Sequence, residues 1–176
     1  MSEMRVVGGL ALALLALAAA TSCVAQPGST TDDMPLRLPV LQGFDSVADA
    51  MQPSCGTLDC HGQPGRNLRL FGARGLRLDA QDTSAEGLTT VAEYEANYWS
   101  VVALEPEVLS QVIQAGGNEP ERLILIRKGR GTTRHKGGTL MRPNDDLDQC
   151  LLEWLKGTIS QERCLLAARI TAKVVP

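Results

Sequence analysis

The sequence predicts a small, mainly α-helical domain with short extended or hairpin segments, set behind an export leader and a flexible tether. Apolar residues recur at helical spacing in several windows, which begin at capping residues or prolines and end at glycines. Strand-like alternation is confined to Leu68-Arg69-Leu70 and Leu76-Arg77-Leu78. Residues 41–176 have the length of one ordinary domain.

The leader comes first. Val6 to Ala20 is an apolar run rich in Leu and Ala, preceded by Arg5 and followed by Thr21-Ser22-Cys23. It falls short of the roughly 20 residues a membrane span needs, and it ends in small residues as an export signal does. Ala20-Thr21-Ser22-Cys23 resembles the lipobox of bacterial lipoproteins, which implies a signal peptide over 1–22 and lipid on Cys23. Ordinary cleavage after Ala18-Ala19-Ala20, leaving Cys23 unmodified, is the alternative; either way the chain is exported. Val24 follows Cys23 where an inner-membrane protein would carry aspartate, so the expected location is the outer membrane, facing the periplasm. Residues 23–40 are polar and turn-rich and read as the tether.

Within the domain, Asp45 or Ser46 caps a helix that turns Val47, Ala48 and Met51 inward and closes at Pro53. The two Leu-Arg-Leu segments follow, separated by Gly72 and Gly75, as a short hairpin or an extended loop. Thr90 and Glu93 form a capping box opening a helix through Val91, Tyr94, Tyr98 and Val102. Pro106 starts a helix with Val108, Leu109, Val112 and Ile113 on one face, and Gly116-Gly117 stops it. Pro120 opens either a further helix through Leu123, Ile124 and Ile126 or a buried strand; periodicity does not choose. Asn144 or Asp145 caps the clearest helix, with Leu147, Cys150, Leu151, Trp154 and Leu155 inward and Gly157 as its end.

Composition excludes some functions. The formal net charge of −3 speaks against a nucleic-acid binder. Gly116-Gly117-Asn118 lacks the lysine and hydroxyl of a phosphate loop. Aromatic content is only 3 %, so the core is aliphatic or takes bulk from a cofactor.

The segment that carries chemistry is Cys55-Gly-Thr-Leu-Asp-Cys60-His61-Gly62, in a chain whose one other histidine is His135. Covalent haem attachment uses two cysteines as thioether anchors and a histidine directly after the second as an iron ligand. On that reading Cys55 and Cys60 hold the haem c, His61 binds the iron from one side, and His135 from the other. Met141 is the alternative distal ligand and Met51 a remote third. The common spacing between the cysteines is two residues; here it is four. A Cys55–Cys60 disulfide is the structural alternative, and zinc held by Cys55, Cys60, His61 and His135 a third. Both histidines are better used here than in a Ser-His-Asp arrangement. Export places these cysteines in an oxidising compartment. Cys150, on the buried face of the last helix, and Cys164 are expected to pair, closing a loop of about 15 residues worth on the order of 3 kcal/mol.

Several motifs in order resemble a known family. Cys60-His61-Gly62, then Gly75-Leu76-Arg77-Leu78-Asp79, then Glu119-Pro120-Glu121-Arg122-Leu123, His135-Lys136-Gly137-Gly138 and Trp154-Leu155-Lys156-Gly157 look like the cytochrome c domains of planctomycete and myxobacterial exported proteins. The resemblance spans about residues 50–157. It implies a cytochrome c-like fold over 41–176, one haem, His135 in the distal position, and one-electron transfer to an envelope redox partner rather than catalysis. Seven basic residues between Arg122 and Arg142, with no acidic one among them, are a solvated face or partners for the propionates. The competing class is a haem-free lipoprotein module stapled by Cys55–Cys60 and Cys150–Cys164, binding another protein or the cell wall.

Overall fold

The computed structural model describes residues 35–73, 75–81 and 87–172, the side chains of 170–172 excepted. The chain divides into two units, Met1–Pro35 and Leu36–Pro176. The first lies outside the described residues apart from Pro35, and with it the leader and Cys23. Among the described residues there are six α-helices and no strand, and no helix is long and apolar enough to cross a membrane. The mainly helical class is the observed one.

Helix α1 (Phe44–Cys55) starts before Asp45, because Gly43 at φ 82° makes the turn that lets Phe44 enter the core. Val47, Ala48 and Met51 face inward as expected. Pro53 does not close the helix; it sits in the last turn, where the bond it forfeits is one the fraying end loses cheaply. As a result Cys55 stands on the end of a helix rather than in a loop.

The two Leu-Arg-Leu segments form an extended loop held by a single Phe71–Leu76 bridge, with Gly72 N–H donating to the Leu76 carbonyl at 2.9 Å. Helix α2 (Val91–Val102) opens on the expected capping box. Val91 stays 83 % exposed, since the first turn gives its inward face to Glu93. Helix α3 (Pro106–Gln114) ends at Gly116 and Gly117, both with positive φ. The ambiguous run after Pro120 is a 3-10 turn (Pro120–Arg122) followed by helix α4 (Ile124–Gly129), so the strand alternative is corrected. Glu105 makes this possible: its carboxylate accepts the Ile124 N–H at 2.5 Å and caps the short helix. Helix α5 (Asp146–Leu155) is capped by Asp145, and helix α6 (Gln161–Ala172) closes the domain.

The sequence gives no amphipathic warning of α6. Its Cys164 and Ala167 are buried while Leu165 and Leu166 are exposed, so the inward face consists of small residues. It packs on α1 and α5, and the expected Cys150–Cys164 disulfide joins it to α5.

The few aromatic side chains are concentrated where three helices meet. Phe44 of α1 lies 5.0 Å from Trp154 of α5 and edge-on to Tyr98 of α2 at 5.4 Å. Tyr98 and Trp154 also spend their polar atoms on the entering chain: the hydroxyl donates to the Pro39 carbonyl at 2.7 Å, the indole N–H to Val40 at 2.9 Å. The domain therefore takes in residues 36–40, which the sequence assigns to the tether.

Candidate functional site: a two-imidazole cavity

His61 and His135, 74 positions apart, meet. Their ring centroids are 6.0 Å apart and their planes are inclined by 17°. Both line a cavity of about 500 Å³. Its apolar wall is Leu68, Leu104, Ile124, Leu125 and Leu140; Arg66, Lys128 and Glu105 add charge.

Each imidazole is oriented by a backbone carbonyl. His61 Nδ1–H donates to the Leu68 carbonyl at 3.0 Å, and His135 Nδ1–H to that of Gly138 at 3.2 Å. A carbonyl can only accept, so Nδ1 carries a proton in both rings, and in a neutral imidazole so held it is Nε2 that is left for a ligand. Burial lowers the His61 pKa; the Leu68 bond opposes this, and the charges of His135, Arg66 and Lys128 lower it further. His61 is therefore neutral near pH 7, the form that binds a metal.

The loop from Cys55 to Gly62, which carries His61 and is termed proximal by position only, is tightly built. His61 N–H donates to the Cys55 carbonyl at 2.8 Å, and Cys60 N–H and Gly62 N–H both donate to Thr57. A Cβ on Gly62 would lie 2.2 Å from the Gly56 carbonyl oxygen, and one on Gly75 2.0 Å from it. These glycines let three backbone segments touch. In the distal loop, the φ of +71° at Gly138 turns the chain so that its carbonyl returns to His135. A Cβ on Gly137 would press within 3.1 Å of the imidazole. Gly137-Gly138 thus serves the histidine's own turn.

Two buried ion pairs hold these loops in place, and sequence reasoning missed both. Arg77, beyond Gly75, reaches Glu93 at 2.8 Å through Nε and 3.1 Å through Nη2. Burial works to raise the Glu93 pKa, but the N–H groups of Thr90 and Leu78 and the Arg77 guanidinium hold it below the ordinary value. Arg130, at the foot of the distal loop, pairs with Asp148 at 2.7 and 3.0 Å, and Asp148 also accepts the Asn144 N–H. Glu93 and Asp148 both stand three residues past a helix cap. The capping patterns were readable; the arginine partners, 16 and 18 positions away, were not.

Other sequence candidates fall as follows. Cys55 and Cys60 are thiols and are not bonded to each other, so the Cys55–Cys60 staple is absent. Burial, and secondarily Cys60, push the Cys55 thiol up to about 12. Cys55 lines the cavity and Cys60 does not. Met141 is 2 % exposed, packs over Gly129 and is not in the lining; Met51 is a core residue of α1. Both are corrected to packing roles. Among the described residues no three His, Cys, Asp or Glu side chains converge as an ion site, which removes the four-ligand zinc reading. Of the basic run, Arg122, Arg127 and Arg130 are engaged with Glu119, Glu105 and Asp148, and Lys128 reaches the cavity.

Comparison with protein-family models, curated proteins and solved structures finds no match.

The ring separation, though not the stacked arrangement of the pair, matches one kind of occupant. Two nitrogens bound on opposite sides of one ion at about 2 Å stand about 4 Å apart, and their ring centroids, each roughly 1 Å further back, about 6 Å apart. Two protein ligands are too few for a protein-only ion site. They suffice for a metal that brings its equatorial ligands with it.

Proposed function

We propose that this chain is an exported, lipid-anchored c-type cytochrome-like protein that holds one haem and transfers single electrons to an envelope redox partner. The observation that carries the reading is the meeting of the chain's only two imidazoles across one cavity, 6.0 Å apart. The Nδ1 hydrogen bonds, the thiols beside His61 and the largely aliphatic wall add support. Export and lipid on Cys23 rest on the leader sequence.

Bound haem supplies a one-electron iron couple. The chain's own residues do the rest. His61 and His135 would hold the iron, which would keep small molecules from it and direct the protein to electron transfer rather than catalysis. Two nitrogen ligands would set a lower potential than a histidine with a methionine. Leu68, Leu104, Leu125 and Leu140 limit water, and a low-dielectric surround resists a change in charge. The Leu68 and Gly138 carbonyls fix the imidazole tautomers and increase ligand basicity.

The test is to export the protein from a host with haem-attachment machinery and record its spectrum. A single haem per chain with a six-coordinate, two-imidazole signature is expected. His135→Ala then opens one axial position, so added imidazole or carbon monoxide binds the variant and not the parent. Colourless protein from a host that loads a control cytochrome refutes the reading.

A further inference from the structure

The two cysteines of the proximal loop are not equivalent. Cys55 ends α1 and lines the cavity together with His61 and His135. Cys60, though directly before His61 in sequence, is absent from that lining. The backbone explains the reversal. His61 N–H bonds to the Cys55 carbonyl at 2.8 Å, so Cys55 is the spatial neighbour of His61 and the residues between them bulge outward. Leu58, on that bulge, is 56 % exposed, and Asp59 beside it is exposed too.

The bulge is held in this state. Cys60 N–H is bonded to Thr57 at 2.9 Å, and the Cys60 carbonyl accepts Arg66 Nε–H at 3.1 Å. Gly56, Gly62 and Gly75 are in backbone contact behind it. The two extra residues between the cysteines supply the slack for the bulge.

We propose that the haem is attached through one thioether, at Cys55 alone, and that Cys60 remains a thiol. This rests on the haem reading of the cavity. In the bond-forming step the Cys55 sulfur adds across one vinyl double bond: the new S–C bond forms, the π bond breaks, and the thiol hydrogen goes to the adjacent vinyl carbon. No electron is gained or lost, so no oxidant is needed. The second vinyl group stays intact.

The experiment uses the full chain exported from an attachment-competent host, denatured, alkylated and digested. The peptide spanning 55–61 is expected to carry one haem and one alkyl group, with fragmentation placing the haem on Cys55. Cys60→Ser should keep the covalent pigment at the parent's stoichiometry. Cys55→Ser should lose it, leaving haem that acidified organic solvent extracts. A peptide with haem and no alkylatable thiol, or loss of covalent haem in Cys60→Ser, overturns the single-bond proposal while leaving the cytochrome reading standing. Two alkyl groups and no haem on the parent peptide overturn both.

Discussion

The Arg130–Asp148 pair gives the sharpest test of how His135 is held. Asp148 is fully buried and Arg130 is 15 % exposed, and the two guanidinium contacts are 2.7 and 3.0 Å. Asp148→Asn keeps the side-chain volume and one acceptor oxygen but leaves the guanidinium with no countercharge. Removing one partner of a buried pair costs about 3–5 kcal/mol; the retained acceptor argues for the lower end, about 3 kcal/mol. In a domain of this size that is a fall in Tm on the order of 10 °C. Urea unfolding should show a lower midpoint with an unchanged slope. The control replaces both groups, Arg130→Met with Asp148→Leu. Burying two apolar groups in place of an ion pair is close to neutral, so the double variant should lie within about 1 kcal/mol of the parent. A single variant that costs less than about 1 kcal/mol, or a double variant as weak as the single, refutes the clamp.

Replacing both Cys150 and Cys164 with Ala frees a loop of sequence separation 14, and chemical denaturation should report a loss of about 3 kcal/mol. Gly62→Ala places a Cβ 2.2 Å from the Gly56 oxygen, which is backbone and cannot step aside; a loss of about 2 kcal/mol or more is expected in the same assay. The protein should lose stability as pH falls below about 6.5. The His61 pKa is lower folded than unfolded, so the unfolded chain binds more protons in that window and stability falls with acidification. A His61→Gln variant should lose that part of the pH dependence.

Much of the helical order was legible because it is local. The Thr90–Glu93 box, Pro106 with its glycine stop, and the heptad-like face of α5 are each satisfied within one helix. What was not legible depends on distance. The start of α1 at Gly43 follows from packing Phe44 against Tyr98 and Trp154, and α6 is held by neighbours rather than by its own pattern. At the site, residue identity was readable from the scarcity of histidine, and the spacing of the cysteines marked the proximal loop as unusual. Which sulfur faces the cavity was not readable, because that depends on a bulge closed by a bond from His61 back to Cys55. Met141 illustrates the same limit: its position near His135 in sequence suggested a ligand, whereas the bare surface of Gly129 draws it into the core.

Orientation and separation of the two imidazoles have different physical origins. Each ring's tautomer is set close by, by a carbonyl seven residues on for His61 and three residues on for His135. The 6.0 Å between them is set from far away. On the proximal side the Arg77–Glu93 pair ties the Gly75 segment to the first turn of α2, and Gly75 in turn abuts Gly56 and Gly62. On the distal side Arg130–Asp148 ties the loop to the first turn of α5. In both helices the carboxylate lies in the first turn, at the positive end of the macrodipole, which attracts a negative group. The gap between the rings is therefore the joint result of two separate charge clamps. Weakening one should loosen its own histidine and leave the other ring's hydrogen bond intact.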